Sequence, residues 1–164
     1  MKIQISPASL FVILLLAGCG QKDSASSGVS AGKTASSGGP QVVEITASDQ
    51  MKFSITTIEA KAGEQLKVVL TNTGTLPKEA MGHNWVLLQA GSDSAAFSTT
   101  AVSAKDTNYI PSALKDQNLA YIDLLGPRKS GEVTFTVPPA GEYPFICSFP
   151  AHFQVGLKGT LVVK

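Results

Sequence analysis

The chain has 164 residues, 43% of them hydrophobic, and its 13 Lys and Arg nearly balance its 12 Asp and Glu. A formal net charge of +1 gives the chain no overall positive field of the kind on which nucleic-acid binding depends. Once an export segment and a polar linker are set aside, roughly 120 residues remain, which is the usual size of a single domain.

The N-terminus has the pattern of a bacterial export signal. Lys2 precedes an apolar run over residues 10–16, which is too short for a comfortable membrane span. Residues 16–19, Leu-Ala-Gly-Cys, resemble the lipobox of bacterial lipoproteins, in which cleavage precedes a cysteine that becomes lipidated. We therefore predict a lipoprotein signal peptide over residues 1–18 and a palmitate-bearing lipid anchor on Cys19. An ordinary signal peptide with an unmodified cysteine is the alternative.

Residues 19–40 are predicted to be the lipidated Cys19 followed by a flexible linker, because Gly, Ser and Ala dominate this stretch and leave little to bury. The protein would then be exported and held on a membrane facing the periplasm, with its domain in water. Gly20 and Gln21 lack the acidic residue that, in the lipoprotein families this segment resembles, favours inner-membrane retention. The sequence thus favours the outer membrane as the location of the anchored protein.

Residues 41–164 have the pattern of an all-β domain. Runs rich in Val, Ile, Thr and Phe are separated by Gly, Pro, Asn and Asp, and they read VVEIT, FSITTI, QLKVVLTN, NWVLLQA, AYIDLL, EVTFTV, EYPFICSF and GTLVV. Their spacing predicts a sandwich or barrel, and turn residues at 61–64 and 138–142 are typical of Greek-key connections. Residues 92–114 break this rhythm and predict a short helix or an inserted flap.

Two histidines and one cysteine carry the chemistry of the predicted domain. Cys147 and His152 lie close together in the chain, and His83 lies far upstream. Two cysteines in an exported protein would ordinarily form a disulfide, but lipidation of Cys19 removes that option. A thiolate with two imidazoles forms the trigonal site that copper uses for electron transfer, whereas structural zinc prefers four strong ligands. A buried structural cysteine beside a surface histidine is the alternative.

Two parts of the chain resemble azurin and the auracyanin-like cupredoxins. One is residues 76–87, LPKEAMGHNWVL, and the other combines residues 147–152, CSFPAH, with residues 158–161, KGTL. The resemblance implies a Greek-key β-sandwich, the cupredoxin fold, with one copper at one end. It also implies that His83, Cys147 and His152 are the equatorial copper ligands and that the Gly82 carbonyl lies at a greater distance. The Asn84 side chain would cross-link the two ligand-bearing segments by hydrogen bonds.

The chain departs from the family pattern in two ways. It has no cysteines for the disulfide that azurins carry, and it has no methionine after His152, where most blue-copper proteins provide an axial thioether. Aligning on residues 158–160 places the non-coordinating Leu157 in the axial position, while azurin spacing from His152 places Gly156 there; Gln154 is a further candidate through its side-chain oxygen. Losing a weak donor destabilises Cu(II) more than Cu(I), so we predict a high reduction potential.

The apolar docking patch of azurins, which surrounds the exposed edge of the second histidine ligand, has counterparts in this sequence. They are Leu76, Ala80, Met81, Phe149, Pro150, Ala151 and Phe153. For Phe153, a loop residue folded over the domain is the alternative.

The residue set supports an electron carrier better than an enzyme. No combination of acid, base and nucleophile is evident in the sequence, so no catalysis is expected. We predict a monomeric type 1 (blue) copper protein that shuttles single electrons between redox protein partners. The alternatives are a periplasmic copper-binding and copper-delivery lipoprotein and a metal-free structural sandwich.

Overall fold

The computed structural model describes residues 38–164. The predicted signal peptide over residues 1–18, the lipid anchor on Cys19 and the linker up to residue 37 lie outside the described residues. Among the helices that are described, none is long and apolar enough to cross a membrane.

Strands make up most of the regular structure in the described part of the chain, as the sequence predicted. They are β1 (Gln41–Ala47), β2 (Thr57–Ala60), β3 (Gln65–Asn72), β4 (His83–Leu88), β5 (Asn118–Leu125), β6 (Ser130–Thr136), β7 (Gly141–Ile146) and β8 (Lys158–Val163). The helices are α1 (Lys78–Met81) and α2 (Ser94–Ala101), and single 3₁₀ segments cover Lys105–Thr107 and Ser112–Gln117.

The strands form two mixed sheets. One sheet has the order β1-β3-β6 and the other has the order β2-β8-β7-β4-β5. β1 runs parallel to β3 and β2 runs parallel to β8, while the remaining neighbours are antiparallel. Strands that follow each other in the chain therefore often lie in different sheets, which confirms the predicted β-sandwich.

The main core lies between the two sheets and follows the two-residue period of a strand. In β3, Leu66, Val68 and Leu70 are fully buried, because alternate side chains of a strand point to the same face. They share one apolar cluster with Trp85 and Phe145 of the other sheet. Burial of each such side chain contributes about 1.5–3 kcal/mol to stability.

β4 departs from this alternation because both of its faces are covered. All six of its residues are buried, and β4 lies between β5 and β7 in its sheet. Val86, Leu88 and Ile146 form a second core cluster with Phe97 of α2 on the outer face of the sheet. The nearly continuous apolar run in this strand is therefore explained by the helix that packs over it.

Residues 89–117, here called the insertion, connect β4 with β5 and contain the predicted helix. The Asp93 side chain caps α2 by accepting the backbone N–H groups of Ala95 and Ala96, each at 3.0 Å. Beyond the helix, Asn108 and Tyr109 have φ values of 54° and 64°, in the left-handed region that side chains seldom adopt. These two residues form the tip of the insertion.

Four loops meet at one end of the sandwich, here called the histidine end. They are residues 48–56, 73–82, 126–129 and 147–157. His83 pairs with Leu125, the last residue of β5, which places the start of β4 at this end, and the pairing shifts register between His83 and Trp85. Asn72, the last residue of β3, accepts the Arg128 N–H at 2.8 Å and so ties β3 to the turn between β5 and β6.

Candidate metal centre

Three buried side chains meet at the histidine end. His83 begins β4, Cys147 directly follows β7, and His152 lies in the loop between β7 and β8. A ring nitrogen of each histidine and the Cys147 sulfur all lie within 4.8 Å of one another. His152 Nδ1 is 3.4 Å from Cys147 Sγ, and the two imidazole centroids are 4.9 Å apart. The structure thus brings together the three residues that the sequence singled out.

Burial favours the uncharged form of all three groups. It raises the pKa of the Cys147 thiol to about 12, although the backbone amides of Asn84 and Phe149 act in the opposite direction. It lowers the pKa of His152 to about 4, with a smaller contribution from the neighbouring His83, whose own pKa is lowered mainly by burial. Both imidazoles are therefore neutral near pH 7 and have free lone pairs to offer.

His83 shows most directly that this cluster suits a metal. Its side chain is fully buried, and neither ring nitrogen makes a well-formed hydrogen bond among the described residues, although the Ser48 backbone lies close enough to raise the pKa of His83. Leaving a buried polar atom unpaired costs about 1–3 kcal/mol, and a metal bond would remove that cost for the one ring nitrogen that binds the metal. Soft sulfur with two imidazoles is the donor set that suits copper, so the residues present fit that ion.

Backbone hydrogen bonds shape the loop that carries two of these side chains. The Cys147 N–H donates to the Leu157 carbonyl at 3.0 Å, and the Leu157 N–H donates to the His152 carbonyl at 3.0 Å. The His152 N–H donates to the Phe149 carbonyl at 3.1 Å, and Ala151 has a φ of 70° that tightens the turn. The spacing between Cys147 and His152 therefore rests on bonds within the protein.

Asn84 hydrogen-bonds the segment that follows Cys147 and also the insertion. Its Nδ2 donates to Ser148 Oγ at 2.8 Å and to the Asn108 carbonyl at 3.1 Å, and its Oδ1 accepts the Ser148 N–H at 2.8 Å. Ser148 Oγ donates to the Tyr109 carbonyl at 2.6 Å. Sequence reasoning missed Ser148, Asn108 and Tyr109, because the irregular pattern over residues 92–114 does not indicate where the insertion makes contact.

Residues 40–164 match a known family, described as copper binding proteins of the plastocyanin/azurin family. The chain belongs to this family. It is thus a cupredoxin of the blue-copper class, and its His-Cys-His cluster fits one copper.

Individual relatives agree with this assignment. The chain is 36% identical over 125 residues to auracyanin-B of Chloroflexus aurantiacus. The aligned segment covers 75% of this chain and 52% of auracyanin-B, so this chain spans about half of that relative's length. It is 37% identical over 126 residues to azurin of Pseudomonas denitrificans, which covers 74% of this chain and 97% of that azurin. The structure of dithionite-reduced auracyanin from Roseiflexus castenholzii is similar at a TM-score of 0.69 and 29% identity, covering 77% of this chain and 99% of that chain.

Gly82, which precedes the first histidine of this cupredoxin, lies where no side chain fits. A β carbon there would lie 2.6 Å from the Lys78 carbonyl oxygen and 2.8 Å from Leu124 Cγ. Its φ of −67° is open to other residues, so space rather than backbone conformation requires glycine. The absence of a side chain lets α1 and β5 close over the start of β4.

The three candidates for the axial position have different surroundings. Leu157 is fully buried in the main core, and its backbone bonds to both Cys147 and His152. Gly156 has a φ of 108°, and a β carbon there would face open space. Gln154 is exposed, and its Nε2 donates to Ser98 Oγ of α2 at 3.1 Å. Only Leu157 therefore offers a side chain packed at the depth of the ligands.

The residues expected to form a docking patch differ in exposure. Leu76 is 43% exposed, Ala80 and Ala151 are also exposed, and Met81 and Pro150 are half-buried. Met81 lies near the site. These five residues leave an apolar surface at the histidine end.

Two aromatic residues of the expected patch, and the histidine beneath it, are less accessible than predicted. Phe149 is 7% exposed and His152 is 2% exposed. The Tyr109 ring packs against Phe149 with centroids 5.0 Å apart, and Phe149 packs against His152 at 4.7 Å, so Phe149 lies below the surface. Phe153 packs with the second core cluster and has Lys158 Nζ 4.6 Å above its ring. Phe153 therefore lies as its alternative interpretation described, as a loop residue folded over the domain.

Proposed function

We propose that the protein carries single electrons through one copper held by His83, Cys147 and His152. The observation that supports this most is the enclosure of their three donor atoms within 4.8 Å of one another. All three side chains are buried, which excludes water from the donors. A site of one thiolate and two imidazoles accommodates both Cu(I) and Cu(II), as an electron carrier requires.

The chain's own residues prepare the site in different ways. Cys147 must release its thiol proton when metal is loaded, because its pKa is about 12 before loading. The backbone N–H groups of Asn84 and Phe149 then stabilise the sulfur, since they already favour its charged form. His152, with a pKa of about 4, needs to lose no proton at neutral pH. When bound, the copper supplies the one-electron redox couple.

We further propose that Leu157 occupies the axial position and raises the reduction potential. Its full burial and its backbone bonds to both ends of the ligand loop support this position. The open space beside Gly156 and the hydrogen bond from Gln154 to Ser98 make those residues poorer candidates. Because leucine has no donor atom, Cu(II) loses more stabilisation than Cu(I).

The carrier is proposed to exchange electrons with redox proteins at the histidine end, beside Leu76, Ala80 and Ala151. Their exposure next to buried ligands supports this surface as the point of electron entry.

We also propose that the protein is exported and anchored through lipidated Cys19, and that the outer membrane is the favoured location. The lipobox pattern of residues 16–19 and the polar stretch after it support the anchor.

The test is the visible and EPR spectrum of the purified protein after addition of Cu(II). An intense blue band with narrow copper hyperfine splitting is expected, because a thiolate ligand to copper produces it. Cys147→Ser should abolish the band, whereas Cys19→Ser, the matched change at the other cysteine, should leave it unchanged. A colourless protein that exchanges its copper rapidly would refute electron transfer and favour copper delivery instead.

A further inference from the structure

Charge is distributed unevenly between the two ends of the described domain. The four loops of the histidine end, together with the first residue of β8, carry five cations and only two carboxylates. The cations are Lys52, Lys78, Arg128, Lys129 and Lys158, and the carboxylates are Asp49 and Glu79. The remaining described residues carry five cations and nine carboxylates. A nearly neutral chain is therefore strongly polarised, with its positive end at the candidate metal centre.

The cations at this end form no ion pairs with the described residues. The ion pairs in the described part of the chain are Lys61–Glu64, Lys67–Glu132 and Lys164–Glu59, and all of them involve other lysines. Of the five cations, four are exposed and Lys78 is half-buried. One of the two carboxylates is already engaged, since Asp49 Oδ2 accepts the Thr75 N–H and hydroxyl at 2.9 and 3.0 Å.

Three of these cations lie beside the apolar surface already described. The Arg128 and Lys129 backbones are bonded to Asn72, at the end of β3, and Gly126 of the same turn lies against the Lys78 side chain. Lys78 is two residues from Leu76, which is 43% exposed. Lys78, Arg128 and Lys129, here called the basic rim, thus border the surface proposed for electron entry.

We infer that the redox partner of this protein is a protein with a carboxylate-rich surface around its own electron-transfer site, and that the basic rim steers the two together. This inference rests on the proposed function. A field of one sign focused at a docking surface raises association rates and fades with added salt. The apolar Leu76 surface inside the rim would then supply the short-range contact, from which water is excluded.

The first test measures the field at the metal centre with two small redox reagents of opposite charge. The copper-loaded protein is reduced in a stopped-flow instrument by anionic hexacyanoferrate(II) and, separately, by cationic hexaammineruthenium(II), while the blue band is followed. Raising the ionic strength from about 0.01 to 0.15 M shortens the Debye length from about 30 to 8 Å. The rate with the anion is expected to fall by about threefold to tenfold, and the rate with the cation is expected to rise.

Variants locate this field. The combined change Lys78→Gln, Arg128→Gln and Lys129→Gln should flatten both salt dependences. The matched control, Lys61→Gln, Lys115→Gln and Lys164→Gln, removes the same charge elsewhere and should leave them unchanged. Reduction by both reagents without opposite salt effects would overturn the inference but leave the proposed function intact. A protein that forms no blue site and reacts with neither reagent would instead contradict the proposed function.

The second test uses metal-free protein and therefore does not depend on electron transfer. A hexaglutamate peptide is titrated into the ¹⁵N-labelled protein, and hexalysine and phosphatidylglycerol vesicles are used as comparisons. Hexaglutamate should shift the amide signals of the four loops at the histidine end, and the basic-rim variant should lose this response. Binding to the anionic vesicles without binding to hexaglutamate would overturn the inference in favour of a membrane surface. No response to any of the three would also overturn it.

Discussion

Asn84 and Ser148 hydrogen-bond each other in both directions. The Asn84 amide donates to the Ser148 hydroxyl and accepts the Ser148 N–H, each at 2.8 Å, and both residues are fully buried. Because Asn84 follows His83 and Ser148 follows Cys147, this pair fixes the distance between two of the proposed ligands. The same hydroxyl donates to the Tyr109 carbonyl, so the insertion is held at the same point.

Ser148→Ala should destabilise the metal-free protein by about 1–3 kcal/mol, because the Tyr109 carbonyl would lose its hydroxyl donor in a buried position. Unfolding in urea, followed by the fluorescence of the buried single tryptophan, Trp85, measures the change. Ser112→Ala is the control, since Ser112 is exposed and should shift stability by less than about 0.5 kcal/mol. Equal urea midpoints for the two variants would show that the cross-link contributes nothing.

Leu157→Met should lower the reduction potential, because a thioether donor stabilises Cu(II) more than Cu(I). A tenfold change in the equilibrium between the two oxidation states corresponds to about 59 mV for one electron, and we expect a shift of at least that order. Spectroelectrochemical titration of the blue band gives the value. Leu161→Met, at a fully buried position in β8, should leave the potential nearly unchanged. An unchanged or raised potential in Leu157→Met would remove Leu157 from the axial position.

Gly159→Ala should destabilise the fold by about 1–3 kcal/mol or more, because an added methyl group would overpack the core. A β carbon at Gly159 would lie 2.2 Å from Phe145 Cζ and 2.5 Å from the Thr56 carbonyl oxygen. Gly126→Ala is the matched control, since its nearest neighbour would be Lys78 Cβ at 3.3 Å, a contact that a small shift relieves. Thermal unfolding of the two variants compares them, and similar losses would argue against a special packing constraint at Gly159.

The stability of the metal-free protein should decrease on both sides of neutral pH. Burial lowers the pKa of His152 from its ordinary 6.5 to about 4 and also lowers that of His83, so the unfolded chain binds more protons below about 6.5. The free energy of unfolding should therefore fall as the pH drops from about 6.5 toward 4. Above about 9 the unfolded Cys147 thiol ionises, while its folded pKa is about 12, so stability should fall again.

Urea unfolding at a series of pH values measures both effects. His152→Gln should weaken the loss on the acid side, and Cys147→Ser should weaken the loss on the alkaline side. Stability that stays constant between about pH 4 and 6.5 would mean that the two imidazoles are not shielded from water in solution.

The sequence allowed the metal centre to be predicted because its evidence is chemical and does not depend on contacts. Cys147 and His152 are close in the chain, and His83 is the only other histidine, so the donor set could be recognised before its geometry was known. The strands were predictable for a similar local reason, since the alternation in β3 and the apolar run of β4 are visible in the residues themselves.

What the sequence could not provide depends on contacts between distant residues. Phe149 was expected at the surface, but Tyr109, far from it in the chain, packs over its ring. Phe153 is likewise held by α2 and Lys158. The contacts of Phe149 with Tyr109 and of Phe153 with the second core cluster do not follow from a local pattern, because both depend on how far the insertion extends along the sheet. The extent of the docking surface therefore had to come from the structure.

The insertion should tolerate changes in length before α2 but not between α2 and Asn108. Lengthening an ordinary loop is inexpensive, since each doubling costs only about 0.6 kcal/mol in closure entropy. Extra residues near Gly91, which is exposed and ahead of α2, would enlarge a surface turn only. Removing a residue between Ala101 and Asn108 would instead withdraw the carbonyls on which Asn84 and Ser148 depend. Natural or engineered variants of this protein should thus differ in length before α2 and keep the path from α2 to the insertion tip constant.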